Sequence, residues 1–312
     1  MKSYLLRRIL QAVLVLWAAF TLSFVILYLL PGDAVLAKIA GGEGSTTLTP
    51  AQIAQERAAY GLDEPWPVQY GKRLLGALHG DFGRSIATGD QATHQVLTAL
   101  PPTLAAAGLG LLLAVVFGGG VALLGTFTRL RWLGTFLLSL PSVGISLPVF
   151  WVGLVLVQIF SFQLRLLPAL GNKGFESLIL PAITLALPTG AVIGQVLAKS
   201  LRTQLAEPYV EIVQAKGAGR SRVHFGHALR NAIMPTLTLV GVIAGQLLAG
   251  SVVTETVFSR DGLGRVTATA VNQQDIPVVQ AVIVLAALFF VVLNLVVDLV
   301  YPLLDPRVRT NG

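Results

Sequence analysis

Cysteine is absent from all 312 residues, and that single absence excludes disulfides, thiolate nucleophiles and cysteine-ligated metals together. Charge is scarce as well: 12% of residues are Asp, Glu, Lys or Arg, against about 25% in soluble domains. No GxxxxGK[ST] phosphate loop occurs, so the chain is not a P-loop ATPase by itself. No HExxH metal motif, nucleophilic triad or set of paired carboxylates emerges either. The apolar runs hold almost no ionisable groups, which leaves a proton relay or ion-coupled pump little to work with. These gaps disfavour an enzyme and a secondary transporter alike.

What is abundant is hydrophobic sequence, 54% of residues, with a mean hydropathy of +0.75. Six uncharged stretches are long enough to cross a bilayer: Ile9–Leu30, Thr103–Thr128, Trp132–Leu164, Ser177–Ala198, Asn231–Thr254 and Ile276–Val297. The chain therefore reads as an all-α integral membrane protein. Lys2, Arg7 and Arg8 ahead of the first stretch resemble the start of a signal peptide. Its apolar run exceeds the roughly 7–15 residues of a signal core, and no small-residue cleavage site follows, so the span is expected to be retained.

The net charge of +7 is better explained by membrane orientation than by nucleic acid. An even number of spans puts both termini on one side. That side would hold thirteen of the 22 Lys and Arg residues in its short loops, which marks it as cytoplasmic. The opposite side would hold nine cations against eleven acids from Asp33 to Asp275.

Residues 31–100 form the long external segment. Thr49-Pro50-Ala51-Gln52 looks like a capped helix start running to Tyr60, and a second helix is expected after Pro65, ending near Gly80-Asp81-Phe82-Gly83. His79 and His94 lie here, 15 residues apart with no metal-ligand spacing, and read as solvated helix surface. In the second span, Gly108, Gly110 and Gly118-Gly119-Gly120 are expected as packing notches. The third stretch is too long for one straight span and carries Pro141 and Pro148, which predicts a short entry and then a kinked helix ending near Phe160. Pro181 and Pro188 interrupt the fourth. Such broken helices mark either a moving, pore-lining element or simple kinked packing. Gly241, Gly245 and Gly250 suggest a tightly packed central helix for the fifth span. Glu255, at its outer end, is expected to pair with Arg260 or Arg265 or to face a wet cavity. Asp298 is expected to cap or pair with Arg307 or Arg309.

One polar, basic island stands between the fourth and fifth spans, Glu211–Pro235, EIVQAKGAGRSRVHFGHALRNAIMP. Lys216, Arg220, Arg222, His224, His227 and Arg230 lie in it, and Gly217 and Gly219 punctuate its first third. A membrane body with no energy source of its own and a basic inner loop suits a subunit driven from outside.

Here the residues reach a family. The chain resembles the membrane-spanning permease subunits of bacterial ABC importers, in the dipeptide/oligopeptide/nickel branch, first-permease type. The likeness runs in order along nearly the whole length. It starts with Arg7-Arg8, Leu30-Pro31-Gly32-Asp33, Tyr60-Gly61-Leu62-Asp63-Glu64-Pro65 and Gly80-Asp81-Phe82-Gly83-Arg84-Ser85. It continues through Pro208-Tyr209-Val210, Ala215-Lys216-Gly217, His227-Ala228-Leu229-Arg230-Asn231-Ala232 and Thr254-Glu255-Thr256-Val257-Phe258. Gly262-Leu263-Gly264, Asp275-Ile276-Pro277-Val278-Val279-Gln280 and Asp305-Pro306-Arg307 complete it.

The resemblance implies a type I (MetI-like) permease core of 94–303, preceded by an extra N-terminal helix with an external helical segment over 1–93 and followed by a cytoplasmic tail, 304–312. It implies an inner-membrane heterodimer with a second permease, two cytoplasmic ATPase subunits that bind ATP and Mg, and an external substrate-binding protein. The island becomes the EAA loop, about 207–235. Its EAAxxxG pattern falls on Glu211 to Gly217, with Ile212 and Val213 in place of the alanines. Glu211, Ala215, Lys216, Gly217, Gly219, Arg220 and Arg230 would couple to the ATPases, through a short helix set into a groove. Pro141, Pro148, Pro188 and Glu255 are the candidates for cavity or gate. The implied cargo is a di- or oligopeptide, with nickel or a metal–chelator complex as the alternative.

Overall fold

Long apolar runs fold as helices because hydrocarbon offers no partner for a backbone N–H or C=O, so each must be satisfied inside its own segment. The structure, a computed structural model, describes residues 2–29, 58 and 63–304, with side chains over 7–28, 58 and 63–296. The expected helix Thr49–Tyr60, Ala58 apart, lies outside the described residues, as do Leu30-Pro31-Gly32-Asp33, the side chain of Asp298, and Arg307 and Arg309.

In chain order the described elements are α1 (Lys2–Phe24), α2 (Trp66–Leu78), α3 (Ala92–Phe127), α4 (Arg131–Ser146), α5 (Val149–Leu156), α6 (Glu176–Leu205), α7 (Pro208–Ala215), α8 (Leu229–Val257), α9 (Leu263–Asn272) and α10 (Ile276–Leu304). π-Helical turns extend α1 over Val25–Leu29 and α5 over Val157–Gln163, and a third, Arg222–Ala228, leads into α8. Among the described residues, five helices are long and apolar enough to cross a membrane on their own, and the pair α4–α5 makes a sixth if it is one broken span.

The boundaries differ from the sequence expectation in ways the backbone explains. The second span starts at Ala92 rather than Thr103, with Pro101 and Pro102 inside the helix. The third is not a kinked rod: α4 and the segment Val149–Gln163 meet at 103°. Pro141 sits buried inside α4, which runs on through it. The corner belongs to Pro148, whose ring drives the preceding Leu147 into extended backbone (φ −85°, ψ 126°) and ends the helix there.

The chain divides into two compact units. One comprises residues 1–103 and 261–312. In it α1 packs along α10, and α2 is tied to α1 by aromatic contacts. The Tyr70 ring stands edge-on to Phe20 and Phe24 at 5.8 and 5.2 Å, and its hydroxyl lies 2.9 Å from the Thr21 hydroxyl. Arg73 lies 5.1 Å over the Tyr28 ring. The core of this unit joins the start of α3 to α9 and α10 through Ala92, Val96, Leu263, Ala270, Val278 and Val282.

The other unit, residues 104–260, is built round α6. The sequence expectation put the central helix in the fifth span. The fourth takes that place, with 61% of its apolar window buried against 33% for Arg222–Val257. Small residues make this possible. A Cβ on Gly118 would overlap the Gly190 carbonyl oxygen, and one on Gly194 would lie 2.9 Å from that of Gly118. Here α3 and α6 touch backbone to backbone. Gly119 and Gly120 have no such neighbour, so only Gly118 of the triplet is a notch.

Candidate functional site

The polar island folds as a short helix, a glycine stop and a π-helical turn. Glu207 is extended (φ −72°, ψ 143°) and Pro208 takes the first helical position, where its missing N–H costs nothing. α7 then runs for eight residues. One side chain anchors it: Val210 is buried, while Glu211, Ile212, Gln214, Ala215 and Lys216 are exposed. Ile212 is 58% exposed, an aliphatic side chain with no cover from its own chain. The Ala-to-Ile departure from the EAAxxxG pattern thus changes the outer surface of α7, whereas Val213 is half-buried.

Gly217 ends the helix. Its φ of +84° is a left-handed conformation that other L-residues adopt only with strain. The Gly217 N–H donates to the Gln214 carbonyl at 2.8 Å and the Ala218 N–H to that of Val213 at 3.2 Å, closing the last turn. A Cβ there would meet nothing within 4 Å, so the glycine is required by backbone conformation rather than by crowding. The Gly219 carbonyl accepts from the Val223 N–H at 3.1 Å, which starts the next turn.

That turn is clasped to the end of α3. His224 is buried, its Nε2 2.9 Å from the Thr126 hydroxyl, and its ring packs on Phe127 and Phe225 at 5.3 and 4.8 Å. Arg220 lies 5.2 Å over the Phe127 ring and donates to the Thr128 carbonyl at 3.3 Å. Arg220 is therefore held as part of the scaffold, whereas Arg230 stands exposed in the first turn of α8. Sequence reading placed His224 only in a basic surface. Its partners Thr126 and Phe127 lie about a hundred positions upstream, with no spacing signal to reveal them.

At the far end of α8, Glu255 and Arg260 are both buried. The guanidinium donates from Nη1 to the Ser177 carbonyl at 2.8 Å and to the Gly171 carbonyl at 3.2 Å, while the Arg260 N–H donates to the Glu255 carbonyl oxygen at 2.9 Å. Burial pushes the Arg260 pKa down, and the Glu255 carboxylate pulls it back up. Arg265 bonds the Asp261 carboxylate at 2.9 Å. Pro148 is exposed and Pro188 half-buried, and neither they nor Pro141 line either of the two pockets described for this chain.

In the first unit, the Asp275 carboxylate closes a loop that sequence reading had not linked to it. It accepts from the Ser85 hydroxyl, from the Ile86 N–H at 3.1 Å and from the Ala87 N–H at 3.4 Å. Asp275 and Ser85 are both buried.

Residues 109–310 match the family described as binding-protein-dependent transport system inner membrane component, and residues 1–107 match the N-terminal region of the same kind of membrane component. The chain belongs to this family. It is a multi-pass permease of an ABC transporter, a membrane component rather than an ATPase, and permeases of this family work with an ATPase and a substrate-binding protein. It is 36% identical over 309 residues to the glutathione transport system permease protein GsiC of Salmonella typhimurium, covering 99% of each chain. It is also 36% identical over 314 residues to a probable peptide ABC transporter permease protein, y4tP, of Sinorhizobium fredii, covering 98% of this chain and 99% of that one. In fold, the permease is similar to a solved amino acid ABC transporter with histidines. The TM-score is 0.51 at 15% identity, over 66% of this chain and 92% of that one.

Proposed function

We propose that the permease forms half of the translocation path of an ATP-driven peptide importer in a bacterial inner membrane, with both termini cytoplasmic. It would pair with a second, homologous permease, two cytoplasmic ATPase subunits and an external binding protein. ATP and Mg stay with the ATPases. The translocation core is assigned to 94–303. The names of the glutathione and peptide permeases above favour a peptide over nickel as cargo.

The observation that carries the reading is α7. An eight-residue helix, pinned by Val210 and stopped by Gly217, holds Glu211, Ile212 and Ala215 outward between two long spans. This suits insertion into a groove of an ATPase. When the ATPase pair closes on ATP, a helix held so firmly passes its displacement to α6 and α8 as rigid bodies, and the cavity alternates between its two openings. Pro141, Pro148, Pro188 and Glu255 are the proposed gate elements, at the corner and along the helices that such a motion shifts.

The test is co-purification. The complete importer is isolated with Gly217→Asp, and with residues 215–219 deleted, while the melting temperature of each permease variant is followed. Loss of the ATPase with a folded permease is expected; ATPase retained at wild-type stoichiometry in both variants would overturn the reading.

A further inference from the structure

The end of α3 opens onto a groove of about 720 Å³, within the roughly 300–1,000 Å³ that small-molecule sites occupy. Its lining divides by chemistry. Leu124, Leu133 and Leu137 make an apolar wall, and Arg129, Arg220 and Ser221 line the polar side. No carboxylate lines it, and neither arginine forms an ion pair among the described residues. The Thr128 carbonyl engages one of the five N–H donors of Arg220 and orients the guanidinium.

The surroundings have the layering of a membrane boundary. Leu130 and Trp132 flank the groove at 54% and 69% exposure, and Arg129 and Arg131 are exposed between and beside them. Exposed tryptophan among cations is the composition of a headgroup layer, and basic pockets between spans at the cytoplasmic face suit anionic headgroups. A carboxylate from a docked ATPase would satisfy the arginines but leave the leucine wall uncovered. A free anion would do the same. A molecule with a phosphate at one end and alkyl chains at the other covers both.

We propose that this groove binds an anionic phospholipid of the adjoining leaflet, with its phosphate between Arg129 and Arg220 and its acyl chains along Leu124, Leu133 and Leu137. Because Arg220 belongs to the loop between α7 and α8, the bound lipid presses on the same backbone that carries α7. The inference rests on the reading above only in placing the α3–α4 turn at a membrane surface.

The chain has four tryptophans, and Trp132 stands at the groove. With Trp17, Trp66 and Trp151 replaced by Phe, the full chain is reconstituted in vesicles containing phosphatidylglycerol or phosphatidylcholine with brominated acyl chains, and quenching of Trp132 is titrated. About one kcal/mol per arginine near a charged surface corresponds, at 1.4 kcal/mol per tenfold, to a preference for phosphatidylglycerol of roughly 30-fold. Arg129→Gln with Arg220→Gln should reduce it to below about threefold, and Arg129→Lys should retain most of it. Equal quenching by the two lipids in the parent chain would overturn the proposal, as would an undiminished preference in the double variant. So would full competition by inorganic phosphate, which would make the site a free-anion site, or displacement of lipid when ATPase is added, which would make it a docking site. ATPase co-purification is scored separately on the same variants. A chain that selects anionic lipid but holds no ATPase keeps this inference and sinks the coupling reading.

Discussion

Ser85 and Asp275 lie 190 positions apart and meet in a buried hydrogen bond, the hydroxyl of one donating to the carboxylate of the other. The same carboxylate takes the Ile86 and Ala87 N–H groups, so one side chain at the start of α10 fixes the whole turn that precedes α3. Ser85→Ala should lower stability by about 1.5–3 kcal/mol, the worth of one hydrogen bond to a charged group, and Asp275→Ala should cost more because three donors lose their partner. Thermal unfolding in detergent, followed by tryptophan fluorescence, checks the order.

Gly118 and Gly119 separate crowding from composition. A methyl group on Gly118 would collide with the Gly190 backbone, which cannot rotate away, whereas Gly119 has open space. Gly118→Ala is expected to cost about 1–3 kcal/mol or more through forced separation of α3 and α6, and Gly119→Ala less than about 0.5 kcal/mol. Yields of folded protein by size-exclusion chromatography should fall for the first variant only.

At Gly217 the expected ranking is set by backbone alone. Gly217→Ala meets no clash but must hold φ near +84°, at about 1–2 kcal/mol. Asn tolerates that conformation better than Ala, so transport and ATPase recovery should follow Gly, then Asn, then Ala. Equal loss in Asn and Ala variants would point to contact rather than conformation.

Arg260→Gln removes the guanidinium that donates to the Gly171 and Ser177 carbonyls. A loss of about 1–3 kcal/mol is expected, the cost of leaving buried acceptors without their donor. Adding Glu255→Gln should recover part of it, and the melting temperatures of the single and double variants measure the coupling.

Orientation can be read on the cysteine-free background. A cysteine at Gln214 should react with a membrane-impermeant maleimide only in inside-out vesicles, and one at His79 only in right-side-out vesicles; both positions are exposed. Labelling of Gln214→Cys from outside would reverse the proposed topology.

Much of the architecture was legible because a bilayer enforces it: length and lack of charge locate the spans. Their ends were less legible. Pro101 and Pro102 look like a boundary but sit inside α3, and polar residues from Arg222 onward continue helically into α8. The central helix was misplaced because glycines in α8 and α6 look alike in sequence. Only the backbone of Gly190 against Gly118 distinguishes a notch from open surface. Of the candidate site, α7 and its glycine stop could be read from local pattern. The His224–Thr126 clasp and the Ser85–Asp275 bond join distant segments and leave no periodic trace.

The π-helical turn Arg222–Ala228 carries a mechanical consequence. Such a turn holds one residue more than an α-helical turn spanning the same hydrogen-bond ladder. Removing one residue from it, Gly226 for instance, would let the ladder close as α-helix with everything upstream in nearly its original phase, because the extra residue is what the wider turn absorbs. The span would keep its length and apolarity, and α7 its direction. What such a deletion would take away is the seat of His224 against Thr126, so a loss of coupling in that variant would be traced to the clasp rather than to the aim of α7.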